Sequence, residues 1–122
     1  MAKIEAILTA MDRINAEMKT VVSRPPEDRN RHIVALRQEF AAETGNLLAE
    51  RPTDERLVSQ PALFGELQER LDDVRTMLVS HQARWSIGNI DERRDDYLIA
   101  TESVHGKIAD YLDWAKNSLD AA

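Results

Sequence analysis

The chain contains three histidines, His32, His81 and His105, and no cysteine. Any metal or group-transfer chemistry must therefore rest on imidazoles and carboxylates. Glu102 and His105 have the most suggestive spacing among these. The run Glu102-Ser103-Val104-His105 sets carboxylate and imidazole three positions apart, hence on one face of a helix. Such a Glu-x-x-His pair is the unit that carboxylate-bridged di-iron helical sites repeat. A chain reversal near Gly88 would bring Glu69 and Asp73 level with it, so Glu69, Glu102 and His105 are the candidate metal ligands. The pattern stops short of a full site, which needs a second pair and further glutamates. The positions three before His32 and His81 hold Arg29 and Leu78. No metal site and no cofactor are expected.

Histidine phosphotransfer is the other chemistry these residues suggest. It needs an exposed imidazole near positive charge and open backbone. His105-Gly106-Lys107 supplies the residue types, although not in the usual order, and His32 is flanked by Arg29, Arg31 and Arg37. His81 lies between Leu78 and Trp85 on an apolar stripe, where a core-edge imidazole with partners for its nitrogens is expected. No serine stands in a nucleophile-elbow context and no glycine-rich phosphate loop is present.

Trp114 stands apart from the main apolar stripe, among Asp110, Asp113 and Asn117. A large aromatic in polar company marks a contact surface. Trp114, Asp110 and Asp113 are therefore the candidate partner-binding residues, and partial burial against the first helix or the linker is the plainer alternative.

The elements that must carry these residues are helical. Ile4, Ile7, Met11, Ile14, Met18 and Val21 recur at spacings of three and four, as do Ile33, Leu36, Phe40, Thr44 and Leu47. Leu67, Leu71, Val74, Leu78, His81 and Trp85 form a third stripe, and Ile90, Tyr97, Thr101, Val104, Ile108, Tyr111 and Ala115 a fourth. Pro25, Pro26, Pro52 and Pro61 punctuate them. The expected helices span about 2–22, 26–51, 61–86 and 90–118 of a single helical domain. Thr53-Asp54-Glu55 caps a short helical turn whose Leu57 and Val58 fold back as a lid. Gly88 is expected to end the third helix in the left-handed region, with Asn89 capping the next helix and Glu92 completing a capping box. Short connections make neighbouring helices antiparallel, which gives an all-α, up-down-up-down four-helix bundle. The alternative is a three-helix arrangement in which the last two segments fuse into one long C-terminal helix.

Composition limits the function. The 122 residues carry a net charge of −6, against the basic stripe that nucleic-acid binding requires. No run approaches the ~20 apolar residues that span a bilayer, and the N-terminal segment lacks the apolar core of a signal peptide. A cytoplasmic location without membrane or nucleic-acid partners is expected. Residues 1–60 hold nine basic and ten acidic side chains, residues 61–122 seven and twelve. The acidic excess thus belongs to the last two helices and would suit a partner with a basic surface. The expected function is a non-enzymatic protein-interaction module: an adaptor, regulator or secretion-type chaperone that offers a helical face. Homodimerisation is compatible with the same stripes.

Overall fold

The computed structural model describes residues 2–122. Its elements are α1 (Ala2–Val21), α2 (Pro26–Glu50), a 3₁₀ turn (Arg51–Thr53), α3 (Glu55–Ser59), α4 (Pro61–Arg84), α5 (Ile87–Glu92) and α6 (Arg94–Ala121). Four long helices, α1, α2, α4 and α6, pack as an up-down-up-down bundle. Proline opens α2 and α4, where its missing N–H costs nothing. Glu27 and Asp28 in the first turn of α2 suit the positive end of its dipole.

The apolar stripes meet in one continuous core. Ile4, Leu8, Met11 and Ile14 of α1 are almost wholly buried, as are Leu36, Leu67, Leu71, Ile108 and Leu112 from the other three long helices. Burying one such side chain stabilises the fold by roughly 1.5–3 kcal/mol.

Packing is uneven around the bundle. α1 lies along both α2 and α6, and α4 lies along α6. The backbones of α2 and α4 hardly approach each other. The order around the bundle is therefore α2–α1–α6–α4, with an open seam between its two ends.

Polar ties close the ends. At one end Arg56 donates to both oxygens of Glu5 at 2.7 and 2.8 Å and to Asp54, and it reaches the Leu119 carbonyl at 3.5 Å. This fixes the linker across α1 and α6. Asp54 accepts from the Arg56 backbone N–H at 2.9 Å and so caps α3, as its sequence context indicates. The lid is only half as expected: Leu57 is buried, but Val58 faces outward. At the other end Arg29 of α2, itself buried, pairs with Asp91 of α5. Arg94 donates to the Val22 carbonyl at 3.1 Å.

The reversal between α4 and α6 differs from the expected tight turn. Gly88 has no positive φ and lies inside α5. Ser86 caps α5 by accepting from the Asn89 N–H at 3.4 Å, while the Asn89 side chain donates back to the Arg84 carbonyl at 2.8 Å. Asn89 thus closes the end of α4 instead of opening the last helix, which begins at Arg94. Ile90 is fully buried, as its place on the fourth stripe predicts, but it lies on α5 and not on the last helix.

Candidate functional site

The proposed Glu102–His105 pair is separated by the bundle itself. His105 points into the core and is only 3% exposed, whereas Glu102 is exposed beside Lys19. Three-residue spacing on α6 brackets the boundary of the buried stripe, so one member falls inside and the other outside. Glu69 is exposed on α4. Among the described residues no cluster of three histidine or carboxylate ligands forms. The burial of His105 also removes it from the solvent access that phosphoryl transfer needs.

What holds His105 is a residue the chemical reading of the sequence passed over. Asn15 of α1 donates through Nδ2 to the His105 carbonyl at 2.9 Å and accepts through Oδ1 from His105 Nδ1 at 2.6 Å. The carbonyl demands the amide nitrogen, so the amide oxygen faces the ring. Nδ1 therefore carries the ring proton. Asn15 follows Leu8 and Met11 and precedes Met18 and Val22 at alternating spacings of three and four. A polar residue on a core stripe was the signal that could have found it.

His81 of α4 stands next to His105, ring centroids 5.9 Å apart and edge-on, and stacks on Tyr97 at 5.8 Å. Both imidazoles titrate below their usual range. Burial, then the Arg37 charge, lowers His81 to about 4. Burial, then His81, Lys19 and Arg37, lowers His105 to about 3. His81 Nε2 has no hydrogen-bond partner among the described residues, against the expectation that both nitrogens would be satisfied. It lines a small, partly enclosed chamber of about 10 Å³ together with Arg37, Gln82, Tyr97 and His105, room for about one water.

His32 is a surface residue near the start of α2. Arg24 Nη1 lies 2.8 Å from its Nδ1, and Glu17 lies 3.5 Å from its Nε2. Both ring nitrogens are thus engaged by neighbours of α1 and the following turn.

The Trp114 face is compact. Trp114 is half-buried, with the Arg70 guanidinium 4.3 Å above its ring and Tyr111 at 6.1 Å. Through Arg70 the ring meets α4. Asp110 and Asp113 are exposed, and Asp110 shares its shallow surface with Arg70 and Lys107. The acidic excess is partly balanced where Trp114 lies.

The open seam carries a partly apolar groove whose exposed members include Ala41, Gly45 and Val79. Phe40, Ala41, Gly45 and Leu48 of α2 face Leu78 and Val79 of α4 across a groove of about 240 Å³. Val79 is 66% exposed. A Cβ at Gly45 would meet nothing within 4 Å, so that wall is free for another backbone to approach. The polar positions in this lining are Arg37, Thr44, Arg75 and Gln82. Arg37 is braced by donating to the Trp85 carbonyl at 2.8 Å. Arg37, Leu78 and Gln82 separate the groove from the chamber holding His81 and line both.

No protein-family model matches this chain, and neither a curated protein nor a solved structure shows significant similarity to it.

Proposed function

We propose that this chain is a non-enzymatic protein-interaction module that receives an amphipathic helix of another protein in the α2/α4 groove. The carrying observation is the seam: a groove between two core helices, floored by buried Phe40 and Leu78, rimmed by exposed Ala41, Gly45 and Val79, and filled by none of the described residues. Neighbouring helices of a bundle normally interdigitate along such a line. A fifth helix completes the packing, as in groove recognition of amphipathic helices generally. The small side chains at Ala41 and Gly45 let that helix lie close to α2.

The test uses a fluorescein-labelled amphipathic alanine/leucine peptide with glutamine on its polar flanks. Anisotropy is expected to show saturable binding to the wild-type protein and its loss in Gly45→Leu, which fills the groove at a position where leucine also favours helix. Binding that survives Gly45→Leu, or no saturable binding to the wild type, overturns the reading.

A further inference from the structure

The charge of the groove opposes the charge of the molecule. The chain as a whole is −6. The groove lining nevertheless contains two cations, Arg37 and Arg75, and no carboxylate. Arg37 stands on the α2 wall, fixed by its hydrogen bond to the Trp85 carbonyl. Arg75 stands on the α4 wall, half-exposed, with Asp72 just outside the lining as a loose neighbour at 3.9 Å. Gln82, seven residues beyond Arg75, lies with Arg37 on the wall shared with the small chamber. At a rise of about 1.5 Å per residue the two arginines therefore sit about two helical turns apart along the groove.

These cations also bear on who the occupant is. In a two-fold dimer the same patch faces itself. Joining two copies through this seam would bring two Arg37 and two Arg75 side chains together with no carboxylate of the lining between them. Like charges opposed across a desolvated interface are unfavourable. A partner with a basic surface meets the same objection in this groove. An occupant that carries carboxylates satisfies both guanidiniums by charge-assisted hydrogen bonds.

We infer that the occupant of the α2/α4 groove is a helix of a different protein, apolar on one face and bearing a carboxylate on each flank of that face to pair with Arg37 and Arg75. This rests on the groove being a docking site and adds the chemistry of what docks. The remaining outward charge of the protein excludes unspecific acidic partners, so recognition requires the apolar face and the carboxylates together.

The experiment compares three peptides with one apolar face and glutamate, glutamine or lysine at the flanks, each titrated against the intact protein. The field of the whole molecule favours the lysine peptide, so the inference predicts the opposite order. The glutamate peptide is expected to bind about tenfold more tightly than the lysine peptide, with glutamine between them, as two partly exposed ion pairs made or opposed would give. Arg75→Glu is expected to reverse the order, and Arg75→Gln to flatten it. Equal affinities for all three peptides would leave the groove standing and overturn its acidic selectivity. A preference for lysine in the wild type would likewise overturn it. Absence of binding by all three would remove the docking site itself. Concentration-dependent dimerisation abolished by Gly45→Leu, measured by light scattering, would assign the groove to a second copy and overturn the inference.

Discussion

The flank of α1 and the seam between α2 and α4 are formed from helices of similar length and alternating apolar character, yet they end differently. Along α1 the facing positions are Ile4, Leu8, Met11 and Ile14, branched or long side chains that fill the space between α2 and α6. Along the seam α2 offers Ala41 and Gly45, which leave a gap, and α4 offers Val79, too short to close it. Interiors are packed to the density of organic crystals, so a missing methylene on a wall is felt as open space. Helix length and amphipathicity thus decide that a bundle forms, while side-chain volume decides which of its lines close.

The largest departure from this division is expected at the boundary between the two regions, where His81 and His105 lie behind the groove. Their folded forms hold neutral imidazoles, whereas the unfolded chain binds protons near the ordinary value of 6.5. Stability is therefore full above pH 6.5 and falls as the pH drops from 6.5 toward about 4 for His81 and about 3 for His105. Each histidine contributes a slope of about 1.4 kcal/mol per pH unit inside its window. The groups facing the pair are Arg37 from α2, Lys19 from α1 and Tyr97 from α6, with no carboxylate among those that shift them. Glu5 and Asp54, held low chiefly by Arg56, begin to lose their contribution only below their ordinary values of 4.5 and 3.8, beneath the span from pH 7.5 to 4.5. Urea midpoints measured from pH 7.5 to pH 4.5 give the slope, and His81→Leu should reduce it. A profile flat to pH 4.5 would refute this account.

The closed flank should be far more sensitive to truncation than the seam. Leu8→Ala is expected to cost about 2–5 kcal/mol, since Leu8 is fully buried between neighbours. Val79→Ala, on the open wall, should stay within about 0.5 kcal/mol. Equal losses in chemical denaturation would mean that the seam closes in solution.

Asn15→Ala removes one polar side chain from the closed flank and leaves both the His105 ring proton and the His105 carbonyl without it. A loss of about 2 kcal/mol is expected, the cost of unpaired buried polar groups. The ring resonances of His105 should shift at the same time; an unchanged ring environment would show that the clamp does not form.

The smallest effect has the opposite sign. Gly45→Ala adds a methyl where nothing lies within 4 Å, inside a helix that glycine weakens. A gain of about 0.5–1 kcal/mol is expected. A loss would indicate that the groove is narrower than described.

These contrasts also show what was legible in the chain. The four long helices follow from their stripes, and their starts at Pro26 and Pro61 from proline placement. The cap at Asp54 follows from a short polar cluster before Leu57. The site was less visible, because it depends on which polar residues the packing encloses. Arg51 is buried with the Phe64 ring 5.1 Å from its guanidinium, and two of its nitrogens lack partners among the described residues. Nothing in its local context distinguishes it from an exposed residue at a helix end. The separation of Glu102 from His105 turns on a rotation of α6 by a fraction of a turn, finer than spacing alone resolves. The seam is a property of two helices that are distant in sequence. Small residues at Ala41 and Gly45 hinted at it, but only the arrangement around α1 shows that none of the described residues covers them.

The Asn15–His105 clamp has one more consequence, for vertical alignment. Apolar side chains repeat along α1 and α6 closely enough that sliding one helix past the other by a turn, about 5.4 Å, would still oppose hydrophobe to hydrophobe. The amide does not tolerate that slip: displaced by one turn, it loses the carbonyl and the ring together and is left buried against hydrocarbon. A lone polar residue on an apolar stripe fixes register in this way in coiled coils. Here it joins residues 90 positions apart, so the chain's two terminal long helices acquire a single alignment. The groove walls, attached to those helices, inherit a fixed height relative to each other.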